Sequence, residues 1–187
     1  MSNYEKEQET LTEDALRYLE MPWTITQSSN PAVINLLIPF LRLWHFSRES
    51  DTSWIVFVPR PNSSPISDSD TGSYLIRRVT WHKNHDLQRF TDPLEGLRQG
   101  INSPPTISVD DVPIAISTFH RELNKAVFPI QLLNVQEYLG VDRDESGVET
   151  YHSLSKVHIR WKNDGPKEWQ DFIAQIVYLR HIFDNYF

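Results

Sequence analysis

Cysteine is absent from the 187 residues. Disulfides, thiolate catalysis and cysteine-ligated zinc are therefore excluded, and the chain is compatible with a reducing compartment. Positive charge is scarce as well: 18 Lys and Arg stand against 25 Asp and Glu, a formal net charge of −7. That balance counts against a general nucleic-acid binder, because phosphate backbones are held by an excess of cations. No apolar run suits a membrane span, since the longest, Ala32 to Phe46, contains Pro39 and Arg42. Met1 to Glu20 is acidic and lacks the basic-then-apolar order of a secretory signal, so a cytoplasmic location is expected. Glycine-rich phosphate loops, a nucleophile elbow, the HExxH pattern and internal repeats are all missing.

What the chain does have is aromatic bulk. Six Trp, nine Phe and seven Tyr supply large side chains for a core, and the length suits a single domain spanning 1–187. The clearest local order is C-terminal. In 156–162, Val157, Ile159 and Trp161 alternate with Lys156, His158, Arg160 and Lys162, the period of a strand buried on one face. Asn163-Asp164-Gly165 is turn chemistry, and Pro166 suits a first helical position. Trp169, Phe172, Ile173, Ile176, Leu179 and Phe183 then recur at steps of three and four, which predicts a long C-terminal helix with one buried face.

Further upstream, Thr10 to Glu13 reads as a capping box opening a short first helix, with 1–9 as a disordered tail. A helix is expected before Pro39, with 40–46 open between helix and strand. Ser53 to Val58 reads as a strand covered on both faces, and Ser73 to His82 as its antiparallel partner across a mobile, Pro/Ser/Asp-rich loop at 59–72. A helix is expected within 85–100, regular only from about Asp92 because of Pro93. Then come a loop at 101–111, an amphipathic helix capped by Asp111 and running to Val127, and a short helix in 130–140. The expected class is α+β: a mainly antiparallel sheet built from hairpins, with helices packed on one face.

Two constellations carry chemistry. Asp142-Arg143-Asp144-Glu145-Ser146-Gly147 resembles the opening of an EF-hand loop, with oxygen ligands at alternate positions and a glycine sixth. The resemblance implies a metal site on Asp142, Asp144 and Ser146. It departs from that family at the twelfth position, where Ser153 replaces a bidentate Glu, and strand follows instead of helix. His82 and His85 beside Asp86 read as an exposed polar turn. The second constellation is the row Lys156, His158, Arg160 and Lys162, with Arg77 or Arg78 as an extension, a cationic strand face suited to an acidic protein partner. The layout of an acidic turn, a strand ending in Arg160-Trp161 and Pro166-Lys167-Glu168-Trp169 opening a terminal helix is similar to that of small bacterial α+β proteins, including some immunity proteins of toxin systems. The resulting expectation is a non-enzymatic intracellular binding module without cofactor, engaging neither membrane nor nucleic acid. A small enzyme whose site converges only in three dimensions, and a calcium-binding protein, are the alternatives.

Overall fold

The unbroken β-branched and aromatic run Trp54-Ile55-Val56-Phe57 is buried on both sides in the computed structural model of the chain, as a strand between two covered faces must be. The structure describes residues 3–21, 37–59, 73–92, 94–96, 100, 102–125, 144–152 and 155–187. In chain order the elements are α1 (Asn3–Glu20), β1 (Leu37–Phe46), β2 (Asp51–Pro59), β3 (Ser73–Trp81) and α2 (Lys83–Thr91). They continue as β4 (Ile107–Ala115), α3 (Ile116–Leu123), β5 (Glu145–His152), β6 (Ser155–Lys162), a 3-10 turn (Lys167–Trp169) and α4 (Gln170–Asp184). The six strands form one sheet in the order β4-β3-β2-β1-β5-β6, and every neighbouring pair is antiparallel.

Strand alternation divides the core in two. Leu41, Leu43, Trp54, Val56, Ile76, Ile114, Val148, Ile159 and Trp161 point to one face, where they pack with Phe119 of α3 and with α4. All six apolar positions of the C-terminal pattern, Trp169 to Phe183, are buried there. On the other face Val79 and Trp81 pack with Leu11, Ala15 and Leu19 of α1, joined by Phe46, Ile107, Val109 and the α2 residues Leu87 and Phe90. The α+β class, the antiparallel sheet and the long C-terminal helix are as expected, but helices cover both faces instead of one. The reason is that β1 to β4 carry apolar side chains on both sides of the pleat, and each side needs a cover.

Three local expectations give way to tertiary context. Residues 3–9, expected in a disordered tail, are the first turns of α1. The hydroxyls of Thr10 and Thr12 donate back to the carbonyls of Lys6 and Gln8, at 2.9 Å each, instead of capping a helix start. Leu37 and Ile38 are strand, not helix, and β1 runs through Pro39 because a register irregularity between Pro39 and Leu41 absorbs the missing donor. The 107–115 segment is β4, not loop and helix start. Asp111 caps nothing; it accepts two hydrogen bonds from Arg77, at 2.7 Å each. Pro113 is tolerated because β4 is an edge strand. Similarly, α2 lies before Pro93, at 83–91, earlier than expected, and residues 94–96 beyond the proline are helical as well. The 59–72 loop, apart from Pro59, and the helix expected in 130–140 lie outside the described residues.

Candidate functional site

Two polar places depend on strands β1, β5 and β6. On the α1 face, β5 and β6 pair Tyr151 with Lys156, Glu149 with His158, Gly147 with Arg160 and Glu145 with Lys162, while β1 sets Arg42 beside Glu149 and Trp44 beside Gly147. Glu149 is 2 % exposed, and a carboxylate so buried needs partners. Arg42 Nη1 lies 3.5 Å from its Oε2, the Tyr151 hydroxyl donates to the same oxygen, and His158 Nδ1 is 3.1 Å from Oε1. Arg42 also donates from Nε to Ser53 Oγ at 3.0 Å and lies over the Trp44 ring, 4.7 Å from its centroid. Burial lowers the Arg42 pKa, against the pull of its neighbours. The Tyr151 hydroxyl is pushed far above its ordinary range, by burial first and by donating to Glu149 second. Gly147 makes room for Trp44, since a Cβ there would overlap the indole ring. The Trp44 and His158 rings stand 5.1 Å apart.

The predicted cationic row is thus brought to one face but differentiated along it. His158, about half exposed, is tied to Glu149. Lys162 is half-buried and already engaged. Arg160 is exposed, and among the described residues its side chain makes no ion pair or hydrogen bond. Lys156 lies in β6 opposite Tyr151. Arg77 and Arg78 do not extend the row, because β3 is separated from β6 by β2, β1 and β5. Each has acids of its own: Asp111 for Arg77, Asp110 and Asp184 for Arg78.

The second place is a cavity of about 320 Å³ on the α4 face. Its lining includes His45 at the end of β1, Ser146 at the start of β5, Asn163 and Asp164 after β6, and Gln170 and Arg180 of α4. Ser146 Oγ is 2.8 Å from His45 Nδ1 and accepts from Arg180 Nη1 at 3.2 Å. Since the guanidinium can only donate, the serine proton is free to go to His45 Nδ1, leaving the imidazole proton on Nε2. Burial, and then the nearby Arg180, lower the His45 pKa, with Asp144 opposing. Burial also lowers the Arg180 pKa. Of the metal-site residues expected from the sequence, Asp142 lies outside the described residues, Asp144 precedes β5 and Ser146 is within it. Among the described residues no group of three or more His, Asp or Glu is placed to hold a metal ion.

His82 and His85 are exposed, at the start of α2, while Asp86 is fully buried. It accepts from the Trp81 indole, from Thr106 N and Oγ1 and from Arg89, a set that ties α2 to the sheet. Sequence reasoning missed Glu149, Arg42, Tyr151, His45 and Arg180. For Arg42 and Glu149 the available signal was a charged residue inside a strand-like stretch, beside Leu41 and Leu43 in one case and Val148 in the other, since such charges are either exposed or paired.

The class these features define is an α+β protein with a six-stranded antiparallel sheet, a buried Arg42–Glu149 pair joined by Tyr151 and the half-exposed His158 on one face, and a polar cavity on the other. No protein-family model, curated protein or solved structure matches the chain. Among the described residues no helix is long and apolar enough to cross a membrane.

Proposed function

We propose that the chain is a non-enzymatic binding module that receives an acidic protein partner on the β6 side of its sheet. The observation that carries this reading is Arg160: an exposed cation without an acid among the described residues, on the terminal strand, in a chain of net charge −7. Its neighbour His158 is held in orientation by Glu149, so both side chains stand on a rigid element and lose little freedom on docking. An intracellular role of the bacterial immunity-protein kind is the finer form of the proposal, and it rests on the likeness in layout from the acidic turn to the terminal helix alone.

The test uses labelled poly-L-glutamate as the acidic probe, with poly-L-lysine as the opposite control. Overall charge predicts that only poly-L-lysine binds; a docking face predicts saturable, salt-sensitive binding of poly-L-glutamate. Arg160→Glu should remove that binding while leaving the melting temperature unchanged. Unchanged affinity in Arg160→Glu would sink the proposal.

A second reading, a small acid–base enzyme, draws on Glu149 and His158. A buried carboxylate on Nδ1 leaves Nε2 as the group able to exchange a proton, as in hydrolytic dyads. Calcium binding gains no comparable support, because the Arg180 guanidinium 3.2 Å from Ser146 Oγ opposes a cation there.

A further inference from the structure

Arg180 is a partly buried cation that feels the charge of Asp184 but makes no ion pair among the described residues. Among the described residues no acid lies within ion-pair distance of it. Asp184, one turn along α4, is taken by the Trp54 indole N–H at 2.9 Å and by Arg78 at 3.6 Å. The guanidinium is 6.0 Å from the centroid of the Trp54 ring and spends one of its five N–H donors on Ser146 Oγ. Withdrawing a cation from water with no acid in contact is unfavourable, and an anion bound there would offset that cost. Two further charges line the same cavity. Asp144 and Asp164 are exposed, and among the described residues neither has a cationic partner. The Asn163–Gly165 turn is fixed in shape. Asn163 has φ 49° and Gly165 φ 69°, Asn163 N donates to Asp144 O at 2.8 Å, and a Cβ on Gly165 would run into Ile173. Gln170 Nε2 donates to Asp164 O at 2.6 Å, which leaves its own oxygen as an acceptor. Among the described residues, the cavity therefore offers one unpaired cation inside, two unpaired carboxylates and neutral amides.

We propose that this cavity binds a small zwitterion of α-amino-acid size, its carboxylate on Arg180 and its ammonium group toward Asp144 and Asp164. The volume of about 320 Å³ lies at the small end of ligand pockets, which run from roughly 300 to 1,000 Å³. A neutral His45 presenting Nε2–H adds a donor without a second positive charge, and Ser146 holds both His45 and Arg180 in place. The site is on the opposite face from Arg160 and stands independently of the docking proposal.

The test titrates the full chain with each of the twenty standard amino acids, with acetate and with methylammonium, followed by chemical-shift changes in two-dimensional NMR. At least one amino acid should saturate in the millimolar range or below, with acetate more than about tenfold weaker. Arg180→Met keeps the aliphatic packing over Trp54, removes the charge and should weaken amino-acid binding more than about tenfold. The double change Asp144→Asn with Asp164→Asn should reduce amino-acid affinity to that of acetate while leaving acetate no weaker. Those positions are exposed, so this variant decides the matter even if Arg180→Met fails to fold. The proposal is overturned if no amino acid saturates by about 10 mM, if acetate binds as tightly as the best of them, or if the aspartate pair can be neutralised without loss.

Discussion

The two faces of the sheet are built from adjacent residues of the same strands, yet the α1 face adds buried ion pairs to its apolar contacts. Under α4, Leu41, Leu43, Val56, Ile76 and Val148 meet the apolar stripe of the helix, and burial of apolar surface holds the layers together. One residue away along each strand, Arg42, Ser53, Arg77 and Glu149 point the other way and are nearly as buried. There each polar group has a partner: Arg42 with Glu149 and Ser53, Arg77 with Asp111. Apolar burial is non-directional and tolerates exchange at constant volume. A buried charge is held only while its partner is present, so the α1 face trades robustness for a specific arrangement.

The largest test of that contrast compares one truncation on each face. Phe183→Ala should cost about 3–5 kcal/mol through an unfilled cavity, and Glu149→Ala a similar loss of about 3–5 kcal/mol by leaving Arg42 buried without its acid. The second loss should be largely reversed by Arg42→Met with Glu149→Leu, which removes both charges, whereas no second substitution of similar kind restores the first. Urea midpoints of the four proteins decide it. If the double variant is as unstable as Glu149→Ala, charge compensation is not what governs the α1 face.

A smaller effect is expected at Gly147, where the two modes meet. Gly147→Ala forces the Trp44 ring off β5 and with it the stacking on Arg42 and His158, a cost of about 1–3 kcal/mol typical of overpacking. A wild-type urea midpoint would show that the indole has room elsewhere.

Acidity acts on the faces in opposite directions. On the α4 face His45 has a depressed pKa, chiefly through burial, so the stability it contributes is present above the ordinary value of 6.5 and is lost as pH falls below that. On the α1 face Asp51 has a raised pKa, again chiefly through burial; its contribution is complete below 3.8 and is lost as pH rises through the raised value. His45→Gln should therefore flatten the stability profile just below 6.5, and Asp51→Asn the profile above 3.8. Thermal melts across pH, with both variants retaining the wild-type slope, would refute the assignments. The smallest expected effect is that of Arg160→Glu, an exposed change that should leave the melting temperature where it was.

How much of this was legible beforehand depended on range. The α4 stripe and the β2 run read correctly because a helical repeat or an uninterrupted β-branched stretch is recorded within about a dozen residues. The 107–115 strand misread as loop and helix start because Asp110, Asp111 and Pro113 carry turn and cap chemistry locally, while their actual role is set by pairing with β3. The cationic row on β6 was visible as alternation. That Glu149 would claim His158 and leave Arg160 without an acid among the described residues was not.

By itself, then, the sequence determined which segments are amphipathic, which strand is covered on both faces and that the C-terminal helix must be docked, since these follow from the spacing of apolar side chains along a single element. Tertiary structure alone decided which charges are neutralised. Arg42 and Glu149 are 107 residues apart and His45 and Ser146 are 101 apart; only the register of β1 against β5 makes them neighbours. A shift of one residue would turn each of them to the opposite face.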